Sequence, residues 1–317
     1  MRIGIVDLDT SHPENWIPIE RDLGCQIVGV WDGGAVHPPQ FVRHFAERFE
    51  IPRVYDSLEA MADEVDCAII HACDWDTHIA KARPFIARGK SVLLDKPLAG
   101  NLRDLEQISR WVSDGARITG GSSLRFCNEI RDFLARPVKQ RGTPHTVLCG
   151  CGVDEFNYGI HAYSMLCAAM GPGIRSVRHL GMGQQRRIQV NWDDGRTGFL
   201  VIGKTAAWLP FYISITTERT TTQFQPDAAK VYRALLENCI PYLAGKADRP
   251  PVPIEALMEA ERAALAARQS WNNGDVEVAL DALDATDSGY DGRAFAAEYR
   301  AIKYPLDKQL VLAKESK

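Results

Sequence analysis

The sequence predicts an α/β protein in which a doubly wound parallel sheet precedes a second α+β unit with a mainly antiparallel sheet. Two observations predict it. Strand-like apolar runs alternate with helix-length segments over the first 120 or so residues, and beyond Leu124 this rhythm gives way to successive strands joined by turns. With 317 residues, 45% hydrophobic and 25% charged, the chain has a globular composition and enough length for two cores.

Arg2 to Val6 reads as a short buried strand, and Ser11-His12-Pro13-Glu14 as an N-cap with proline just inside a helix reaching about Leu23. Cys25 to Trp31 is a second strand ending in Asp32-Gly33-Gly34. A helix over Pro39 to Phe49, a short strand at Arg53 to Tyr55 and a helix from Ser57 follow. Next come a strand at Cys67 to His71, a helix over Thr77 to Arg88 and a strand at Ser91 to Leu94. A helix over Leu102 to Ser113 and a strand at Arg117 to Thr119 complete the series. This βα alternation predicts a Rossmann-type domain over residues 1–121.

Later strands are expected at Thr146 to Cys151, Ile174 to Leu180, Arg187 to Trp192, Thr197 to Ile202 and Phe211 to Thr216. Asp193-Asp194-Gly195-Arg196 is a hairpin cue, so pairing there is antiparallel. One helix, roughly Asn157 to Met170, interrupts the strands, and helices over Ala228 to Leu243 and Ile254 to Asn272 follow them. These elements define a second domain over 122–280 with its helices on one side of the sheet. Residues 281–317 form a tail that wraps the surface or a neighbouring subunit.

Charge excludes one class of partner. Against 41 acidic residues stand 37 basic ones, a net charge of -4 that leaves no footprint for nucleic acid. No apolar run is long enough for a membrane span, and the N-terminus lacks a signal-peptide core, so a soluble, cytoplasmic protein is expected. The eight cysteines form no C-x-x-C pair and read as buried reduced thiols; no metal site is expected.

In doubly wound sheets a ligand sits at the carboxyl ends of the strands, where the first βα turn offers backbone N–H groups to a phosphate. That turn reads Asp7-Leu8-Asp9-Thr10-Ser11-His12, with Asp, Asp and His at the three positions of a G-x-G-x-x-G pattern. Carboxylates there repel a pyrophosphate, and their side chains block close backbone approach. Asp32, ending the second strand, occupies the place of an acidic group that binds the ribose of NAD, and no nearby arginine suits NADP.

Gly89-Lys90 followed by Ser91-Val92-Leu93-Leu94-Asp95-Lys96-Pro97 resembles the G-K-x-V-x-x-E-K-P segment of the Gfo/Idh/MocA family, named for glucose-fructose oxidoreductase and inositol dehydrogenase. Ile51 to Leu58 resembles that family's third-strand segment, and His78 opens a helix as the family's histidine does. Leu124-Arg125-Phe126 resembles the crossing into the second domain, and Gly159-Ile160-His161 the D-x-G-x-H helix. Ser270-Trp271-Asn272-Asn273-Gly274-Asp275-Val276 resembles the terminal S-x-x-x-G-x-x-V. The resemblance runs to about Leu280. Departures are the glycine turn, Asp95 for glutamate, Asn157 for the motif's aspartate and Ser164 for an acidic position.

Oxidising a sugar alcohol requires a base for the hydroxyl proton while hydride leaves for a nicotinamide. Lys96, at a strand's carboxyl end, is placed to hold the hydroxyl, and His161 to accept or return the proton; the resemblance implies the same two roles. Asn157, one helical turn before His161, shares its face and can orient the ring. The expected cofactor is NAD rather than NADP, held by Asp9, Thr10, Ser11, His12, Asp32, Asp74, His78, Asp95 and Lys96. His71, Trp75 and Asp76 lie in the same loop as Asp74. Arg125, Asn128, Tyr158, Tyr163, Trp192 and Trp208 suit a polyhydroxylated substrate, with Arg125, Tyr158 and Trp192 as the leading candidates. The leading expectation is an NAD-dependent oxidoreductase of a sugar, glycoside or cyclitol. Its competitors are an eliminating or epimerising enzyme that retains nicotinamide and a non-catalytic ligand-binding homologue. An antiparallel sheet with one open face, together with the resemblance, implies a homodimer or homotetramer.

Overall fold

The computed structural model describes residues 1–315. Strands β1 (Arg2–Val6), β2 (Gln26–Trp31), β3 (Cys67–Ile70), β4 (Ser91–Asp95) and β5 (Ile118–Gly121) form an all-parallel sheet in the order β2-β1-β3-β4-β5. Strand order reverses between β1 and β3, so their carboxyl ends flank the natural ligand crevice. Helices α1 (His12–Asp22), α2 (Phe41–Arg48), α3 (Leu58–Glu64), α4 (His78–Ile86) and α5 (Leu102–Ser113) supply the crossovers. Ser57 and Asn101 cap α3 and α5 by accepting from the N–H groups of Ala60 and Asp104. The expected strand at Arg53 to Tyr55 is reduced to one parallel bridge, Val54 with Val30.

After α6 (Asn128–Ala135) and α7 (Val138–Arg141) comes β6 (Pro144–Gly150), then α8 (Gly159–Met170). Strands β7 (Ile174–Met182), β8 (Arg186–Trp192), β9 (Thr197–Ile202), β10 (Tyr212–Thr217) and β11 (Thr221–Phe224) follow. Helices α9 (Val231–Leu243) and α10 (Ile254–Asn272) precede β12 (Val278–Ala279) and the final helix α11 (Gly292–Glu315). The second sheet has the order β11-β10-β6-β9-β8-β7-β12, antiparallel except between β6 and β9. Alternating burial along β8, β9 and β10 shows one face packed and the other partly open.

Helix α8 carries no Asp, Glu, Lys or Arg, is buried almost throughout and packs on the second sheet. Small residues Ala260, Ala263, Ala264 and Ala267 let α10 lie against the same core, while its Leu257, Met258 and Leu265 join the core of the first sheet. Helix α9 corrects the expectation that both late helices serve the second sheet. Its Leu235, Leu236, Cys239 and Leu243 pack with Ile3, Ile5 and Ile69 of the first. All eight cysteines are buried free thiols. Among the described residues no helix is long and apolar enough to cross a membrane.

The tail lies along the surface of the first domain. Gly289, with φ +71° and no room for a Cβ against the Gly100 carbonyl, turns the chain back onto the first domain. Helix α11 then starts against the β3 loop, with the Gly292 N–H donating to Asp76 Oδ2. Its Ala296 packs on Val36 and Cys73, which follow β2 and β3.

Candidate active site

Lys96 follows directly from β4, so the strand's register fixes where its side chain starts. Its Nζ donates to Oδ1 and O of Asn157, at 2.8 and 3.0 Å, and lies 5.5 Å from the centre of the Tyr158 ring. Burial lowers the lysine pKa, with Asp95 and Asp154 opposing. As an ammonium it keeps a third N–H for a ligand. Asn157 precedes the first turn of α8 rather than sitting within it, because Asp154 Oδ1 accepts the N–H groups of Phe156 and Tyr158 and fixes the approach to the helix.

His161 on α8 places Nδ1 2.6 Å from Ser122 Oγ, between the rings of Tyr158 and Phe211. Burial, then the charges of Lys96 and His12, hold its pKa well below the usual imidazole value. The ring is therefore neutral near pH 7 and a weak proton acceptor.

A second constellation stands beside it. Asp95 Oδ2 is 2.6 Å from His12 Nδ1 and 2.8 Å from His71 Nδ1, while Oδ1 accepts the Lys96 N–H. Burial works to raise the Asp95 pKa, but the two imidazoles prevail and hold it well below the usual carboxylate range. Ligand atoms of His12, His71 and Asp95 lie within 4.8 Å of one another. Both separations from Asp95 are hydrogen-bond lengths, which ring N–H donors fill. His12 stacks on Trp16 and meets Tyr232 edge-on.

Lys96, Asn157, His161 and His12 line one cavity of about 260 Å³, walled further by Thr10, Ser11, Tyr158, Trp208, Tyr232 and, from α11, Phe295 and Tyr299. Of the three leading substrate candidates, Tyr158 is there and two are not, while Trp208 from the wider set joins the wall and Asn128 does not. Trp192 is buried in the second sheet's core, its indole N–H donating to the Gly171 carbonyl. Arg125 lies behind the cavity near Glu259, Glu261 and Cys167, outside its lining. Tyr163 is fully buried as well.

The expected cofactor ligands divide in the same way. Thr10, Ser11 and His12 reach the cavity. His78 is wholly buried between the carbonyls of Leu98 and Ala72, and Asp74 accepts the Asp76 N–H of its own loop. Asp95 is committed to the two histidines, and Asp32 Oδ1 accepts the Gly34 N–H. Asp7 adopts φ 64°, the left-handed conformation an aspartate tolerates, with Oδ1 accepting the Gly33 N–H and Oδ2 2.7 Å from Lys81 Nζ. Asp9 is fully buried; Oδ2 accepts the Cys73 N–H and Oδ1 has no partner among the described residues. Burial, then Asp7, push its pKa up to about 7.

The dinucleotide characteristic of such folds does not fit this crevice. Glycine would leave the turn open to a pyrophosphate, whereas Asp9 fills it with a carboxylate. The gap between the ends of β2 and β3, where an adenosine would lie, is occupied by α11. Arg300 donates to the carbonyls of Gly34 and Ala35, at 2.7 and 3.1 Å. Asp307 lies 2.7 Å from His37 Nδ1, whose Nε2 donates to the Leu8 carbonyl.

Sequence reasoning missed Ser122, Phe211, Tyr232, Lys81 and the α11 wall. The signal for α11 was Phe295 and Tyr299, one helical turn apart, with Ala296 beside them.

Comparison with known proteins agrees with the fold. Residues 1–117 match the family model described as "Oxidoreductase family, NAD-binding Rossmann fold". A Salmonella typhimurium protein named "Putative oxidoreductase YceM" is 32% identical over 138 residues, 43% of this chain and 43% of that relative. Scyllo-inositol dehydrogenase from Lactobacillus casei, solved with NAD(H) and scyllo-inositol, superposes with a TM-score of 0.74 at 14% identity, covering 89% of this chain and 99% of that one. UDP-N-acetylglucosamine 3-dehydrogenase GnnA from Acidithiobacillus ferrooxidans gives 0.70 at 16% identity, covering 85% and 97%. At such identities the shared property is the fold.

Proposed function

We propose that this chain, whose residues 1–117 match the Gfo/Idh/MocA oxidoreductase family model, acts on a small polyhydroxylated substrate, a sugar, glycoside or cyclitol, bound in the cavity of Lys96 and His161. One observation carries this reading: a lysine ammonium and a neutral imidazole converge on one cavity of about 260 Å³, the scale of a single sugar ring rather than of a dinucleotide with its substrate. Lys96 offers its free N–H to a substrate oxygen, and the neutral His161 ring makes a second hydrogen bond to it. Together they polarise a carbonyl or hydroxyl without a net charge change on the histidine. The chemistry that fits is proton transfer next to that oxygen, an epimerisation, isomerisation or elimination without net oxidation.

A second reading, NAD-dependent oxidation or reduction of a secondary hydroxyl, is favoured by Thr10 and Ser11, which bring the start of α1 to the same cavity. It requires α11 and the Asp9 side chain to leave the crevice.

The test has two arms. Lys96→Ala should keep the fold and lose turnover by about 100-fold or more on any polyol or polyol ketone that the native protein converts; near-normal turnover discards the assignment. Calorimetric titration with NAD and NADP should show no saturable binding. Tight NAD binding, preferred over NADP because of Asp32, moves the conclusion to the second reading.

A further inference from the structure

Two of the chain's departures from the family pattern touch each other. His12 stands at the third glycine position of the first turn, and Asp95 replaces the glutamate before Lys96; their side chains meet at 2.6 Å. Asp95 is shorter than glutamate by one methylene, and its carboxylate stays at the end of β4, within reach of both His12 and His71.

This contact fixes the chemistry of His12. An ionised carboxylate only accepts hydrogen bonds, so the ring proton of neutral His12 resides on Nδ1 and the lone pair on Nε2. The imidazole is also held in place by stacking on Trp16 and by the edge of Tyr232. His12 lines the cavity together with Lys96 and His161. His71, bound to the same carboxylate oxygen, is fully buried and has no access to the cavity.

We propose that His12, oriented by Asp95, is the proton-accepting catalytic residue of this cavity. Asp95 is its positioning residue. The inference rests on the proton-transfer reading above and supplies the base that His161, neutral and weakly basic, does not. The step balances without an oxidant. A C–H bond beside a carbonyl breaks, its proton passes to Nε2 of His12, and its electron pair moves into an enolate whose oxygen Lys96 and His161 hold. Return of the proton to the same carbon completes exchange or epimerisation. Return to the former carbonyl carbon, with the α-hydroxyl proton passing to the enolate oxygen, completes isomerisation. Re-formation of the carbonyl with a β-hydroxyl leaving as water, protonated by His12, completes elimination.

The experiment uses the full chain with scyllo-inosose and a 3-ketohexose in D2O, following C–H to C–D exchange by proton NMR. The native protein should exchange at least one of them. His12→Gln and His12→Phe should each slow exchange about 100-fold or more while keeping the native thermal transition. His12 faces Asp95, His71 and Tyr232 on its own side and Lys96 and His161 across the cavity. Of these Asp95 accepts the Nδ1 proton, so Asp95→Leu should slow exchange about 100-fold with KM within threefold of native, and Asp95→Asn, which keeps an acceptor oxygen, should restore part of the loss. Ring-nitrogen NMR should find the His12 proton on Nδ1 in the native protein.

Exchange in either His12 variant within threefold of native, or a proton on Nε2, overturns the assignment. Loss in Lys96→Ala but not in the His12 variants overturns the dyad and leaves the proposed function standing. No exchange by the native protein with either probe overturns both.

Discussion

Replacing Asp9 by asparagine tests whether the first turn is closed by a buried acid. Asparagine retains an acceptor for the Cys73 N–H, and its amide can donate toward Asp7 and Asp32, whose carboxylates lie within 4.8 Å of the Asp9 carboxylate. Burial and Asp7 raise the Asp9 pKa from 3.8 to about 7 in the folded chain. Below pH 3.8 both folded and unfolded chains carry the proton and the group costs nothing. As pH rises the unfolded chain ionises first, so the native protein loses about 1.4 kcal/mol per pH unit until the folded group ionises near pH 7. The accumulated loss is about 4 kcal/mol, which Asp9→Asn escapes. For a chain of this length that corresponds to a Tm about 6 °C higher at pH 8, with little difference at pH 4. Calorimetric scans of both proteins from pH 4 to 8 measure it. An equal Tm at pH 8, or a gain of the same size at pH 4, refutes the buried-acid account of the turn.

Two further outcomes follow from other parts of the fold. Glu20 on α1 is fully buried with neither oxygen partnered among the described residues, and burial raises its pKa from 4.5 to about 8. Glu20→Gln should therefore gain about 3 kcal/mol at pH 7 and nothing below pH 4.5, since stability is lost as pH climbs between the two pKa values; pH-independent denaturation midpoints would contradict this. On the outer face of the second sheet, paired Leu148 and Phe199, with Val201, lie partly exposed. We propose that a second copy covers this face. Light scattering should give at least a dimer at micromolar concentration and a monomer for Leu148→Glu, and a native monomer rejects the interface.

The alternation of β and α segments was legible because parallel strands buried on both faces write continuous apolar runs, and the hairpin strands were legible through their turns. Lys96, Asn157 and His161 were legible because a motif fixes their local geometry, and the structure brings all three to one cavity. The altered turn was legible as chemistry: three side chains where backbone must be bare. What occupies the crevice instead was not. Helix α11 reaches it only after the chain has completed the second sheet, and its docking rests on contacts such as Arg300 with Gly34 and Ala296 with Cys73, which span more than two hundred residues. The His12 and Asp95 pair was hidden for the same reason. Each residue alone looked like the loss of a family feature. Only the parallel register, which sets the ends of β1 and β4 on either side of β3, places an imidazole and a carboxylate at hydrogen-bond distance. Local sequence determines element type and motif geometry, because both depend on neighbouring residues. Which side chains share a cavity, and which proton sits on which nitrogen, depends on contacts between distant segments that no local pattern encodes.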